Sequence, residues 1–523
     1  MKKTTSTLLL LCVATILYMG IYLNYSAVPG NNTQYPEGWW GWYDQGQYLK
    51  SVKAFSSFNF DPQNHRYLPL YALIGAGFYA LIPNHPFFFV NLFALLYGIY
   101  VFIQVSDRYL SRIETSLILL ISLYANFTVF LQYIIPWNSS VTVIIYSLSL
   151  HQLIRLQPIQ DDNKHSKKHL LKPILFGFLI GLLCLIRPID VPATFGLFLA
   201  YVYLSHRNQI LAKKIPVKTA SKSIFLLVFG FLLGFSFYLL YNQALYNSPI
   251  DGYFKATISS SGYFPTEIAW RTFSLLFDSK VLFAESSASF ISHYPWLLLS
   301  FIAIIWAMFY GDWLTRTLSF TIVLQFLFYA PYGDLLPNGI WRYHNIHYFK
   351  WAFPYLAFLA WLCVRSSIYS KENRFQKHFT AKVSGIIVLG LLILSPHLET
   401  KKLSMPITYD AENNLNMHAG GDLVNFIDIP EVTGSFTDIY FGEHKLWVNG
   451  RVLQKVKDFR VLPNGAGIRV LFNVAINVSE LNLILDPRLN NTHASQNAEI
   501  NKVSFSFGKP ALFKDDVNGY QNK

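Results

Sequence analysis

The chain is predicted to be a polytopic α-helical membrane protein with a C-terminal extracytoplasmic β-sandwich domain. Three observations carry that expectation. Of 523 residues, 53% are hydrophobic and only 14% are charged, against about 25% charged in a soluble domain. The apolar residues gather into long runs separated by short basic loops. Beyond Pro396 the composition turns soluble, and apolar and polar residues alternate between turn signals.

The formal net charge of +13 resides mostly in Lys and Arg of those short loops, with no basic stripe tied to a nucleic-acid motif. It therefore sets topology and implies no nucleic-acid partner. Cys12, Cys184 and Cys363 all fall inside apolar runs, so neither a disulfide framework nor a CxxC metal site is indicated.

A span needs about 20 apolar residues, and shorter ones are tolerated in a bundle. The first is Leu8 to Tyr25, behind Lys2 and Lys3; Tyr25-Ser26-Ala27 lacks the small-residue pattern of a cleaved signal peptide, so it is predicted to stay as a span. Then follow Phe87 to Val105, Ser116 to Ile135, Val141 to Ile154, Ile174 to Ile186, Val191 to Leu204 and Ile224 to Leu240. Trp296 to Tyr310, Leu318 to Tyr329, Trp351 to Val364 and Ser384 to Leu394 complete about eleven spans. With the N-terminus inside, four basic loops fall on the cytoplasmic side. These hold Arg108 and Arg112; Lys164, Lys167, Lys168 and Lys172; Arg207, Lys213, Lys214, Lys218 and Lys222; and Lys371, Arg374, Lys377 and Lys382, all as the positive-inside rule requires. The expected location is the cytoplasmic (inner) membrane.

That parity requires Tyr67 to Ile82 to lie in the outer interface without crossing. The segment is short, carries Gly75 and Gly77, and is bounded by Pro69 and Pro83. The first outer loop, 27–86, then holds two surface helices, Gln45 to Ser57 and Tyr67 to Ile82. Tyr48, Val52 and Phe55 make an apolar stripe on the former. A second outer loop runs from Leu245 to Tyr294, and a third, from Tyr332 to Phe349, contains Trp341-Arg342-Tyr343-His344-Asn345-Ile346-His347. Residues 1–396 are thus expected to form the transmembrane domain and 397–523 the β-rich one, with the sandwich over Thr408 to Phe513 and hairpin signals at Asn449-Gly450 and Asn464-Gly465.

Gly38 to Leu49 reads GWWGWYDQGQYL and sets Asp44 behind an aromatic cluster just past the first span. An ionisable group at a membrane face marks a candidate catalytic site. Nucleotide sugars and ATP are lacking outside the cytoplasmic membrane, so a transferase there draws its donor from the bilayer as a polyprenyl-phosphate sugar. A base, Asp44, would deprotonate the acceptor hydroxyl. Arg342 and Lys350 would clamp the departing phosphate.

The chain resembles the GT-C superfamily of polyprenyl-phosphate-sugar glycosyltransferases, which includes the protein O-mannosyltransferases and the aminoarabinose transferase of lipid A. The resemblance rests on Tyr43-Asp44-Gln45-Gly46-Gln47-Tyr48, His65-Arg66-Tyr67-Leu68-Pro69-Leu70-Tyr71, Leu185-Ile186-Arg187-Pro188, Leu275-Leu276-Phe277-Asp278, and Arg342 followed by Pro354. It implies a catalytic acid in the first outer loop, where Asp44 stands. A second acid often follows directly in that family; here the residue is Gln45, which leaves Asp61 as the second carboxylate candidate. Arg66 joins the phosphate-binding candidates, and Tyr43, Tyr48, His65, Arg187, His344 and His347 are substrate-loop candidates. No metal or cofactor is assigned, and the partners implied are a lipid-linked sugar, the bilayer, and a glycan, lipid or protein acceptor.

Plainer roles stand beside these. Asp44 and Gln47 have the spacing of a helix capping box, Arg342 has that of a residue snorkelling at a span end, and Arg187 with Asp190 that of an ion pair closing a helix. His65 and Arg66 suit anchoring of the surface helix, and Trp39, Trp40 and Trp42 an aromatic belt or a sugar-stacking surface. The β domain suits a scaffold or a carbohydrate binder. A transporter or lipid flippase is the rival class, disfavoured because the charged groups cluster at outer span ends and not at the midplane; a polysaccharide polymerase or ligase is the rival within the enzyme class.

Overall fold

The computed structural model describes residues 3–156, 167–211, 217–250, 252–255, 262–265, 268–277, 279, 289–333, 335, 342–369, 396–409, 414–455, 457–464, 467–491 and 497–507. The chain divides into two compact units. One comprises Met1–Lys255, Leu297–Phe328 and Ile346–Tyr369; the other comprises Ala256–Trp296, Tyr329–Asn345 and Ser370–Lys523. Parts of the second and third loops therefore group with the β-rich C-terminal region.

The helices in chain order are α1 (Lys3–Asn24), α2 (Tyr43–Ser56), α3 (Leu70–Tyr79), α4 (Phe88–Ser106), α5 (Arg112–Leu119), α6 (Phe127–Leu131), α7 (Ser139–Arg155), α8 (Lys167–Leu182), α9 (Phe195–Leu211) and α10 (Val217–Tyr246). After them come α11 (Ile268–Leu276), α12 (Phe290–His293), α13 (Leu297–Tyr310), α14 (Trp313–Tyr329), α15 (Ala352–Tyr369) and α16 (Phe436–Phe441). Among the described residues, four stretches are long and apolar enough to cross a membrane: Thr4–Asn24, Phe88–Ser106, Pro188–Arg207 and Ser221–Tyr246. Leu70–Tyr79, Leu171–Leu185, Leu297–Tyr310 and Ala352–Ser366 are shorter apolar helices. The helical unit is thus compatible with membrane insertion, and the described residues hold four full-length candidate spans beside the shorter apolar helices.

One expected span, Ser116 to Ile135, is broken in three. After α5 the chain widens into a π-helix over Leu120–Tyr124, and the Asn126 side chain then accepts from the Val129 amide and starts α6 afresh. Another, Ser384 to Leu394, lies outside the described residues, as does Lys164 of the second basic loop. Tyr67 to Ile82 forms only the ten-residue α3.

Charged groups collect where α4 and α7 end. The Arg108 guanidinium donates to the Ile154 carbonyl, Arg112 pairs with Asp107 at 2.7 Å, and the Tyr109 hydroxyl donates to Asp312 at 2.6 Å. α5 is fastened there by a full capping box between Ser111 and Glu114, which also sits 3.5 Å from Arg365.

The tightest helix pair is α8 with α10, and the reason is glycine. Each helix carries a G-xxx-G step, Gly177 to Gly181 and Gly230 to Gly234. A Cβ at Gly177 would collide with the Leu227 carbonyl, one at Gly230 with the Ile174 carbonyl, and ones at Gly181 and Gly234 with the opposite backbone. Backbones approach this closely only where side chains are absent. Near the Leu182 end of α8, Cys184 and Leu185 pack with Tyr238 of α10 and with Leu68, just before α3.

In the second unit the strands are β1 (Pro396–Tyr409), β2 (Leu415–Ile429), β3 (Val432–Thr433), β4 (Lys445–Val448), β5 (Arg451–Leu453), β6 (Phe459–Asn464), β7 (Gly467–Ile484), β8 (Asn490–Asn491) and β9 (Asn497–Phe507). Seven form one antiparallel sheet in the order β1-β9-β2-β7-β4-β5, with β6 on β7; β3 and β8 pair apart. This differs from the two-layer sandwich expected over Thr408 to Phe513. β1 pairs with both β9 and β2, and β2 also pairs with β9, so the sheet curls on itself. Irregularities in β2 between His418 and Asp422 and between Val424 and Phe426, with Gly421 at φ +79, allow that bend. The core is Val424, Ile427, Phe459, Val461, Val470 and their neighbours. Asn449 and Gly450, both at positive φ, close the β4–β5 hairpin as their sequence predicts. In the same unit α11 buries Arg271, whose guanidinium donates to the Asn473 carbonyl and lies 4.8 Å from the Phe264 ring.

Two predictions follow from packing and protonation. Gly230→Val should wedge α8 from α10 and cost about 1–3 kcal/mol or more, read as a lowered thermal midpoint in detergent, whereas Gly77→Ala, with open space around its Cβ, should not. His444 is held neutral: its Nε2 bonds the Ile439 carbonyl at 2.7 Å, the Asp486 amide donates to its Nδ1 at 3.1 Å, and burial lowers its pKa from 6.5. A folded pKa below the unfolded one means the unfolded chain takes up the proton first, so the β unit should lose stability as pH falls below about 6.5. Thermal melts of His444→Gln between pH 7 and 5 should lack that part of the decline.

Candidate active site

Helix α2 begins at Tyr43, because Trp42 is extended (φ −79, ψ 148) and serves as the N-cap. Asp44 therefore lies inside the first turn and not at the cap. The capping box suggested by the Asp44 and Gln47 spacing is not what the structure builds. An acid in the first turn faces the positive end of the helix dipole. Asp44 is half-buried, and the Tyr67 hydroxyl donates to its Oδ1.

Around this pair the tyrosines are closely set. The Tyr48 ring lies 4.9 Å from Tyr67 and is fully enclosed; burial first, and then the charge of Asp44, push its pKa well up, while Arg187 acts in the opposite sense. Tyr67 is raised by the same two causes, so both phenols stay protonated. Gln45 is buried and donates to the Pro136 carbonyl at 3.2 Å.

The segment from His65 to Tyr67 is clamped by α10. The Tyr246 hydroxyl donates to the His65 carbonyl at 3.2 Å and the Tyr241 hydroxyl to the Tyr67 carbonyl at 3.3 Å. His65 is an anchor: its Nε2 bonds the Asn59 carbonyl at 2.8 Å, its ring lies 4.3 Å from Phe55, and burial lowers its pKa. Arg66 is exposed, with its guanidinium 5.4 Å from the exposed Tyr43 ring. Asp61 is exposed and caps the short turn Pro62–Asn64 by accepting from the Gln63 amide at 3.0 Å. No described contact joins it to Asp44. Trp39, fully buried against Tyr22 at 5.7 Å, is scaffold and not a membrane belt.

Arg187 is a cation within electrostatic range of Tyr48, the tyrosine beside Tyr67. It sits on an extended residue before Pro188, is 8% exposed, and places its guanidinium 3.9 Å from the Tyr348 ring. Asp190 accepts from the Thr142 hydroxyl at 2.8 Å and from the Gln325 amide at 3.1 Å.

Lys350 is fully buried. Its Nζ donates to the Gln132 carbonyl at 2.8 Å and to the Ser140 hydroxyl at 2.9 Å, in the first turn of α7, and burial followed by the charge of Arg187 holds its pKa well below the usual lysine range. His347 bonds Ser139 at 3.0 Å and stacks on Trp137 at 4.0 Å. His344 adopts a left-handed backbone, φ +60, and burial lowers its pKa. Arg342 opens a 3-10 helix, but its side chain, Trp341 and Asp278 lie outside the described residues. Among the described residues no group of three His, Cys, Asp or Glu side chains is placed to hold a metal ion.

The structure thus draws Asp44, Tyr48 and Arg187 into one neighbourhood and adds Tyr67, Tyr241, Tyr246 and Tyr348. Tyr67 was visible within the His65-Arg66-Tyr67 motif; the three others carry no local signal. The two clamps on 65–67 predict that Tyr241→Phe with Tyr246→Phe loosens this segment. Faster amide hydrogen exchange over residues 65–68, with α4 unchanged, is the expected result.

The chain matches no family model, no curated protein and no solved structure.

Proposed function

We propose that this protein is a membrane glycosyltransferase of the GT-C kind, moving a sugar from a polyprenyl-phosphate donor to an extracytoplasmic glycan, lipid or protein. The observation that carries this is the half-buried Asp44, held by Tyr67, with Arg187 in electrostatic range of the neighbouring Tyr48. Lys350 bonds in the first turn of α7, whereas the Arg108 and Arg112 group lies where that helix ends. This separation agrees with an outer site and a positive inner face.

In the proposed reaction Asp44 takes the proton of the acceptor hydroxyl as its oxygen bonds to the anomeric carbon. The carbon–oxygen bond to the lipid phosphate breaks, and its electron pair leaves on the phosphate, giving inversion. Arg187 supplies a bidentate cation for that phosphate. The first turn of α7, into which the largely neutral Lys350 bonds, adds positive potential through its free amides, and Arg342 is the further candidate from sequence.

A base contributes about 10²–10⁴-fold. Asp44→Asn in nanodiscs should therefore abolish transfer from polyprenyl-phosphate sugars while leaving folding and donor binding intact, and near wild-type turnover would refute the assignment. Arg187→Ala should raise the donor KM about tenfold or more, with only partial recovery in Arg187→Lys. The buried Asp190 and Lys350 favour a transporter as the second reading, since such groups line translocation paths. Substrate uptake by proteoliposomes without any sugar transfer would select it.

A further inference from the structure

We infer that Tyr67 is the positioning residue of Asp44: its hydroxyl fixes the plane of the carboxyl group and stabilises its anion. The inference rests on Asp44 being the base proposed above. The contact is made at Oδ1. A carboxylate has about four acceptor positions, so a bond there orients the group without exhausting its capacity for a substrate hydroxyl.

Tyr67 is itself held on three sides. Its ring meets Tyr48 at 4.9 Å, its carbonyl accepts from Tyr241, and Leu68 next to it belongs to the core formed with Cys184, Leu185 and Tyr238. Asp44 rides on α2, so the bond ties the first turn of that helix to the segment clamped by α10. Burial and the nearby carboxylate keep the phenol protonated, which makes Tyr67 a donor throughout the working pH range and not a proton carrier.

The test uses Tyr67→Phe in the full-length protein, a change that keeps the ring. Losing a donor to the charged form raises a carboxyl pKa. The Asp44 titration, read as the infrared carboxyl difference against Asp44→Asn, should therefore move up by about one pH unit. In transfer assays kcat should fall about tenfold to a hundredfold, with donor KM unchanged and the acidic limb of the pH–rate profile displaced by the same amount. Difluorotyrosine at position 67, a stronger donor of nearly the same shape, should move the titration the other way and serves if Tyr67→Phe fails to fold. An unmoved carboxyl titration in either variant overturns the inference. A shifted titration in a protein that transfers no sugar upholds the role of Tyr67 toward Asp44 and refutes the proposed function alone.

Discussion

The close approach of α8 and α10 is the constraint on which the candidate site depends. Four glycines let the two backbones meet where any Cβ would strike a carbonyl. One helix leads into the turn that presents Arg187, and the other ends in the tyrosines that hold His65 and Tyr67. A displacement along this seam would move the cation and the clamp together. Packing of small residues is the main means of bringing helices close where both faces are apolar, because lipid tails compete with every larger side chain.

The site also has a consistent electrostatic logic. Its anion lies in the first turn of α2, where exposed amides favour negative charge. Its hydrogen-bond donors are buried phenols that burial keeps protonated. Its cations differ in kind: Arg187 packs over an aromatic face, whereas Lys350 is enclosed and bonded to a carbonyl and a hydroxyl. A guanidinium tolerates such burial as a cation, while an ammonium is driven toward its neutral form. Arg187 is for that reason the better partner for a phosphate.

Several elements were legible in the chain alone. The shortness of α3 followed from its glycines and its flanking prolines, and the β4–β5 turn from Asn449-Gly450. The break at Ser116 to Ile135 was not legible, because a π-turn and an Asn126 cap leave the apolar run unbroken in composition. Nor was the single curled sheet, since alternation marks strands but says nothing of which strand pairs with which. Asp44 was marked by its place behind a helix of apolar residues; that it lies inside the helix, bonded to Tyr67, depends on Trp42 taking the cap.

The sequence by itself determined the apolar helical character, the β-rich C-terminal region and the short list of charged groups in residues 27–86, because hydropathy, alternation and charge are local properties. Tertiary structure alone decided the partners. Tyr67 reaches Asp44 across 23 residues and Lys350 reaches Ser140 across 210, and such pairings are set by which helix faces can approach. That is a matter of glycine seams, caps and packing volume, which no window of sequence contains.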